Sequence, residues 1–302
     1  MTTLIAGAAV FYDIIHPVDA LPAPGRVATI KAAPYADRLY GGTAFNIAVT
    51  MVRLGAQAGV IHAAGADFPG SPYEAYLRQA GVELGGIQIR PDTACGFAYL
   101  FYDAAGETLC FSYPGAGALP PDLPGTLALL ESTSRLVIAP VFQPWMGMLI
   151  DTARSKGISM AAVGIPARSL SPYLPALDVL FANVHETAML CEAVGVTHTR
   201  DLLTGGLTLI YETHGAGGSR VITPDGEHWI PPTQADAVVD PTGAGDSYAG
   251  AVLAGLDQGL SPVEAGLRGS VVASFVVEAF GCQAGLPGPE AVRARSVEQH
   301  GE

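Results

Sequence analysis

The chain is poor in lysine. Its 302 residues include only Lys31 and Lys156, and Lys and Arg together number 15 against 28 Asp and Glu. Proteins bind nucleic acids largely by neutralising phosphates with Lys and Arg. With the Arg scattered singly here, no nucleic-acid or anionic-membrane partner is expected. Charge of either sign is scarce, at 14% of residues against about 25% in a typical soluble domain. Long apolar runs are also missing. Although 49% of residues are hydrophobic, no uncharged stretch reaches the length of about 18 residues that a membrane-spanning helix needs, so a soluble protein is expected. The apolar opening Leu4 to Tyr12 has no basic flank and runs into Asp13, which is not the layout of a signal peptide. It reads as a buried first strand. Cys95, Cys110, Cys191 and Cys282 lie far apart with no C-x-x-C pair. A chain of this length builds its core without staples, so the cysteines are expected to be reduced and structural, which points to the cytoplasm.

Several catalytic signatures are absent too. There is no G-x-x-x-x-G-K-[ST] and no G-x-G-x-x-G, which removes the marks of a P-loop NTPase and a dinucleotide-binding oxidoreductase. His185-Glu186 would open a zinc helix motif, but Met189 stands where the second His is required. Gly245-Asp-Ser247-Tyr-Ala249 comes near a nucleophile elbow, but its fifth position is Ala. A serine hydrolase using Ser247 stays open as a distant alternative.

Short apolar runs alternate with helix-length amphipathic segments, the pattern of parallel βαβ units. Strands are expected at Leu4–Val10, Ala58–Ala63, Arg135–Ala139, Ser159–Val163, Val179–Ala182 and Thr208–Thr213. Helices are expected at Ala44–Leu54, Tyr73–Gln79, Met146–Lys156 and Glu186–Val194. The economical solution is an α/β fold, an open and mostly parallel sheet with helices on both faces. Two segments break the alternation. Arg26 to Tyr40 has no helical period, and Cys95 to Tyr113 reads as a hairpin turning at Asp103-Ala-Ala-Gly106. These two segments would form a small accessory sheet beside the main one. The last dozen or so residues read as a short, weakly held tail.

The most informative stretch is Asp240-Pro-Thr-Gly-Ala-Gly-Asp246, which leads into a helical pattern through Leu256. Gly243, Ala244 and Gly245 let backbone N–H groups at a helix start approach an anion closely, and such a terminus stabilises phosphate through its orphan donors and its dipole. Asp246 falls in the first turn, where a carboxylate beside a polyphosphate can take the proton of an attacking hydroxyl. The same residues also read as a glycine turn with an acid that favours a helix N-terminus. Taken alone, they leave both readings open.

The run Asp240 to Asp246 resembles the C-terminal signature of the PfkB, or ribokinase-like, carbohydrate and nucleoside kinases. Gly41-Gly-Thr-Ala-Phe-Asn-Ile-Ala48, continuing to Leu54-Gly55, resembles their N-terminal one. The resemblance extends over roughly Leu4 to Pro287. It implies a ribokinase-like three-layer sandwich, with a mostly parallel central sheet and a small β-sheet lid. The whole of 1–302 would be one kinase domain, with lid segments at about 12–40 and 93–115. It also implies that Asp246 is the general base and that Gly243, Ala244 and Gly245 form the anion hole. Asn183-Val-His-Glu186 resembles the family's N-x-x-E, whose Glu organises Mg²⁺ and its waters near the phosphates; the same pair reads as a helix cap with a Glu three residues on. Thr213-His-Gly-Ala-Gly217 resembles a nucleotide-phosphate segment, with Thr213, Gly215 and Gly217 as the binding positions and His214 where Lys or Arg is common. Gly281-Cys-Gln-Ala-Gly285 resembles the stretch that approaches a monovalent-cation site beside the Asp240 loop, so a K⁺ effect is implied.

At the substrate end, the resemblance places Asp13 as the clamp on two sugar hydroxyls, with Gly41, Gly42 and Asn46 beside it. Gln143 is a further substrate-facing candidate. The hairpin aromatics Phe97, Tyr99, Phe101, Phe111 and Tyr113 would offer a face to stack a purine or would simply pack a sheet. Phe111-Ser-Tyr-Pro-Gly-Ala116, together with Asp240-Pro-Thr in place of Asp-Thr-Thr, resembles the nucleoside-kinase branch. The expected activity is transfer of the ATP γ-phosphoryl group to a primary hydroxyl of a ribonucleoside. The alternatives are a ribose, fructose or ketogluconate type of sugar kinase and a non-catalytic nucleoside or sugar binder. An exposed apolar lid face points to a homodimer formed through the lid.

Overall fold

The computed structural model describes residues 2–7, 11–31, 39–103, 108–140 and 142–301. The end of the expected first strand (8–10), residues 32–38 of the expected lid and the hairpin turn at 104–107 lie outside the described residues. The strands are β1 (Thr2–Ala6), β2 (Tyr12–Pro17), β3 (Leu39–Tyr40), β4 (Ala58–Gly65), β5 (Glu83–Arg90), β6 (Phe97–Tyr102), β7 (Thr108–Tyr113), β8 (Thr133–Ile138), β9 (Ser159–Val163), β10 (Val179–Asn183), β11 (Leu209–Thr213), β12 (Ser219–Thr223) and β13 (Gly226–Ile230). The helices are α1 (Thr43–Arg53), α2 (Pro72–Ala80), α3 (Leu123–Leu129), α4 (Pro144–Ser155), α5 (Ala167–Leu170), α6 (Val184–Val194), α7 (Ala244–Asp257), α8 (Pro262–Val276) and α9 (Pro289–His300).

Nine strands form the main sheet in the order β13-β12-β11-β10-β9-β8-β1-β4-β5, and four form a second sheet in the order β3-β2-β6-β7. From β5 to β11 every pairing in the main sheet is parallel, and β12 and β13 add an antiparallel edge. Parallel strands must be covered on both faces. β4 accordingly is buried along its whole length, between a core built with α1, α2, α7 and α8 and a second core built with α4, α5 and α6. The result is three layers. From β1 the chain moves to β4 and β5 on one side and later to β8, β9 and β10 on the other. The carboxyl end of β1 is therefore the switch point of the sheet, where α/β folds open a binding crevice.

The second sheet joins β2 to β6 in parallel and closes with antiparallel β3 and β7. Its register corrects one expectation. Asp13 pairs with Ala98, which pairs with Ser112, and Ile15 pairs with Leu100, which pairs with Cys110. Paired residues share a face and neighbours along a strand alternate. Phe97, Tyr99, Phe101, Phe111 and Tyr113 therefore lie on the face opposite Asp13. They pack mainly on each other and on His16, and Phe111 remains 60% exposed. A stacking surface for a purine held by Asp13 does not follow from this stripe.

The C-terminal segment is corrected as well. Instead of a loose tail it forms α9, which is held from several sides. Arg295 stacks over the Phe275 ring at 3.4 Å and bonds Ser274 and Glu278, and His300 meets Thr233. Only Val292 of α9 is buried, so the segment carries almost no apolar periodicity to reveal it in the sequence. β5 and the β12–β13 hairpin escape the expected alternation for a related reason: β5 holds Gly85 and Gly86, and β13 is mostly exposed.

Candidate active site

The start of α7 is built by a tight turn. The Asp240 carboxylate accepts bonds from the Thr242 N–H at 2.9 Å and its hydroxyl at 2.6 Å through one oxygen, and from the Gly281 N–H at 3.0 Å through the other. It thereby ties the turn to the loop that follows α8. Gly243 then caps the helix in the left-handed region at φ 81°, and a Cβ there would stand 2.7 Å from Cys282 Cβ and 3.0 Å from its Cα. Both the dihedral and the close approach demand glycine. At Gly245 a Cβ would meet open space. The first amides of a helix have no acceptor within it, so the amides at positions 245 and 246 begin α7 beside an open cleft, with Asp246 next to them.

Asp246 keeps part of its surface open to the cleft, although protein packs densely around its carboxyl. That burial, reinforced by the charge of Glu186, pushes the carboxyl up to about 6 against opposing hydrogen bonds from Asn46 and Thr43. A base with this value is ionised at neutral pH yet basic enough to accept a proton. The bond from Asn46 Nδ2 to Asp246 Oδ2 is 2.8 Å. Asn46 lies on the first turns of α1, behind the positive-φ cap Gly42, and is buried. Its Oδ1 accepts from Gln283 Nε2 at 2.7 Å, and the same Gln283 nitrogen donates to the Tyr73 hydroxyl at 2.9 Å. Tyr73 in turn donates to the Gly41 carbonyl at 2.8 Å.

Asp13, 6% exposed, hangs from the lid strand β2 into the same cleft. Burial is the main reason its carboxyl rises to about 6. The Cys282 thiol bond opposes the rise, and the charges of Asp246 and Asp240 add to it. The Cys282 thiol is itself pushed up by burial and by these carboxylates, so it remains the donor toward Asp13 Oδ2 at 3.5 Å. Gly41 lies against this carboxyl, since a Cβ there would stand 2.1 Å from Oδ2. The lid thus rests on the loop at 280–283: Asp13 meets Cys282, Leu39 faces Gly281, and Tyr102, on the Asp13 face, meets Phe280 with ring centroids 6.4 Å apart.

The remaining expected residues spread along the carboxyl edge of the sheet. Asn183 caps α6 by accepting from the His185 and Glu186 amides, while Glu186 Oε2 accepts from the Asn183 N–H at 2.8 Å. This capping box leaves Oε1 of Glu186 without a hydrogen bond among the described residues. Thr213 ends β11, and Gly215, at φ 57°, and Gly217 form the turn after it. His214 and Arg220 both bind the buried Glu212, and Arg220 also binds Glu227, so neither is a free cation for phosphate. Gln143 caps α4 half-buried, and no hydrogen bond among the described residues joins it to Asp13, Asn46 or Asp246. Ser247 is fully buried and donates to the Gly243 carbonyl at 2.8 Å, which removes the hydrolase reading. A cavity of about 690 Å³ between α6 and the β11–β13 edge is lined by Cys191, Glu212 and Trp229. None of Asp13, Asn46 or Asp246 lines it, and convergent polar groups define the better site.

Three residues of this cleft were missed from the sequence. Cys282 and Gln283 sat in a stretch read only for its cation, and Tyr73 was read only as helix.

No three His, Cys, Asp or Glu among the described residues group to hold a metal on their own. An ion here would rest on one carboxylate, waters and phosphate oxygens, the usual way Mg²⁺ is bound, and the free oxygen of Glu186 suits that. No helix among the described residues is long and apolar enough to cross a membrane.

Comparison with known proteins agrees with this geometry. The profile of the pfkB family carbohydrate kinases matches residues 2–289. A nucleoside kinase of Methanocaldococcus jannaschii is 30% identical over 296 residues, covering 95% of this chain and 94% of its own. The crystal structure of the nucleoside kinase of that organism, described as an archaeal member of the ribokinase family, superposes with a TM-score of 0.83 at 27% identity over 99% of both chains. A Burkholderia thailandensis nucleoside kinase solved with inosine shares the fold at a TM-score of 0.87 and 22% identity, covering 99% of this chain and 98% of that one. The chain belongs to the pfkB family of carbohydrate kinases, and it is accordingly a phosphotransferase.

Proposed function

We propose that this protein transfers the γ-phosphoryl group of ATP to the primary hydroxyl of an adenosine-like ribonucleoside. The observation that carries the reading is Asp246: a carboxyl raised to about 6, set beside the open amides at the start of α7 and facing Asp13 across one cleft. In this reading Asp13, Gly41 and Gly42 hold the sugar hydroxyls, whereas Asn46, expected to join them, is 2% exposed with its amide committed to Asp246 and Gln283 and supports the base instead. Asp246 takes the proton of the attacking hydroxyl, and the amides at 245 and 246 meet the charge that develops on the phosphoryl oxygens. Of the expected anion hole, Gly243 shapes the turn and the Ala244 N–H is held by the Pro241 carbonyl at 3.2 Å. Asn183, Thr213, Gly215 and Gly217 border the nucleotide, and Glu186 would hold Mg²⁺ through water. When bound, that ion neutralises phosphate charge. The lid seated on the 280–283 loop excludes water from the reaction.

Lysine scarcity and phosphate chemistry are compatible here because the anion site is made of backbone amides, a helix dipole and a divalent ion. With His214 and Arg220 committed to Glu212, activity depends heavily on Mg²⁺. Asp240 already satisfies three donors, so a K⁺ ion beside it would draw on backbone carbonyls. The outward aromatic face of the lid suits a second copy of the chain, and cysteines that form no disulfide suit a reducing cytoplasm.

A free sugar is the second reading, favoured by the placement of the hairpin aromatics Phe97, Tyr99, Phe101, Phe111 and Tyr113 on the lid face opposite Asp13. The test is coupled ADP release over nucleosides, ribose, fructose and ketogluconate, with and without Mg²⁺ and K⁺. Nucleoside-dependent, Mg²⁺-dependent release is expected, and Asp246→Asn should lower turnover at least ~100-fold with little change in substrate binding. Release with sugars alone selects the second reading. Nucleoside binding without release would make the protein a non-catalytic binder.

A further inference from the structure

Four side chains from distant parts of the sequence form one hydrogen-bonded chain that ends on Asp246. Its far end is the Gly41 carbonyl, which can only accept. Tyr73 must therefore donate to it, at 2.8 Å, and burial keeps that phenol protonated by pushing its pKa far up. With its proton spent, the Tyr73 oxygen is left to accept, so the Gln283 group 2.9 Å away must be the amide nitrogen. The same nitrogen reaches Asn46 at 2.7 Å, which obliges the Asn46 oxygen to face Gln283 and its nitrogen to face Asp246 Oδ2 at 2.8 Å. Each orientation follows from the one before it, and the backbone carbonyl sets the first. All the linking groups are held: Tyr73 is fully buried and stacks on Tyr40 at 4.3 Å and 6°, Asn46 is 2% exposed and Gln283 5%.

We infer that Tyr73 and Gln283 are positioning residues that fix the polarity of this chain, so that Asn46 always presents an N–H, never its carbonyl, to Asp246. Neither residue touches Asp246. Both act through Asn46, and a broken chain frees the Asn46 amide to turn its oxygen toward a protonated Asp246. The inference rests on Asp246 being the general base. The other groups that bear on Asp246 are Glu186 from α6, Asp13 from the lid, Cys282 from the loop after α8 and the Thr43 hydroxyl. None of them belongs to the chain, so neutral substitutions in it leave those charges in place.

The test uses full-length protein without nucleotide. Aspartate carboxyls labelled with ¹³C are titrated by NMR, and the Asp246 signal is assigned by its loss in Asp246→Asn. Tyr73→Phe and Gln283→Met remove the links without adding charge or much volume. In each, the Asp246 midpoint is expected to rise by about 0.5–1 unit, part of the worth of a hydrogen bond to a charged group. The acid limb of kcat should rise with it, while turnover well above the limb stays within about twofold of the unsubstituted enzyme. A midpoint unchanged in the folded variants overturns the inference, as does a loss of turnover that is the same at every pH. Should Tyr73→Phe melt early, Gln283→Met carries the measurement alone. Full turnover in Asp246→Asn would instead sink the base assignment, while the carboxyl titration would still report on the chain.

Discussion

Gly243 and Gly245 stand two residues apart at the start of α7, yet the structure assigns their substitution opposite consequences. At Gly243 an alanine must hold φ 81° and place its Cβ 2.7 Å from Cys282 Cβ, 3.0 Å from its Cα and 3.1 Å from its sulfur. The left-handed dihedral costs about 1–2 kcal/mol, and overpacking against a backbone atom that cannot swing aside adds about 1–3 kcal/mol. Gly243→Ala should therefore lower stability by roughly 2–5 kcal/mol, read as a fall of several degrees in melting temperature. Whatever displacement relieves the clash moves the start of α7 against Asn46. Because a misplacement of about 1 Å can cost ~100-fold in rate, turnover should fall with stability. At Gly245 an added Cβ meets nothing within 4 Å and no left-handed dihedral is required. Gly245→Ala should hold or raise the melting temperature, since Ala favours a helix over Gly by up to about 1 kcal/mol. Its methyl would stand where phosphate approaches, raising KM for ATP. Cys282→Gly added to Gly243→Ala should restore the part of the steric loss owed to the Cys282 Cβ and sulfur, and leave the 3.0 Å approach to its Cα and the dihedral part. Thermal melts and steady-state kinetics on the four proteins measure all of this, and equal melting of Gly243→Ala and Gly245→Ala would refute the reasoning.

Asp13 and Asp246 stand near 6 in the folded chain against 3.8 in an unperturbed carboxyl. Raised values mean that protonation favours folding: the contribution is complete below about 3.8 and is lost as the pH rises through 6, where each ionised carboxyl costs up to about 3 kcal/mol. Asp246→Asn should then raise the melting temperature of the nucleotide-free protein at pH 8 but not at pH 4, and an equal gain at both would contradict it. Ser247→Ala, which removes a buried hydroxyl bonded to its own helix, should keep turnover within a few-fold in the ADP assay; complete loss with Asp246→Asn tolerated would revive the hydrolase reading. Arg295→Ala should cost roughly 1–3 kcal/mol through the lost Phe275, Ser274 and Glu278 contacts, visible in denaturant unfolding, with no change in KM. Phe111→Glu on the exposed lid face should convert a dimer to monomer in sedimentation, and an unaltered sedimentation profile would place any dimer elsewhere.

Much of the α/β frame was legible because parallel strands and their covering helices leave periods of apolar residues. Helix Ala44–Leu54 appears as Thr43–Arg53, and strand Ser159–Val163 appears unchanged. The two glycine-rich signatures were legible for a different reason. Positive φ at Gly42 and Gly243 and the close approaches at Gly41 and Gly243 strain or crowd any other residue, so the local chemistry is written in the residues themselves. α9 was illegible because its hold on the body comes from Arg295 and His300 and hardly at all from a buried stripe.

What composition and motif determined by themselves was the α/β class, a glycine turn that opens a helix, and Asp246 in the first turn of that helix. These depend on residues close in sequence, whose spacing alone sets their geometry. The tertiary structure decided which face of the lid bears Asp13, since register is a property of pairing between strands. It also decided that Tyr73, Gln283 and Asn46 meet on the way to Asp246, because hydrogen bonds between residues up to 237 positions apart leave no period or spacing in a chain. They exist only once the sheet has brought the ends of its strands together.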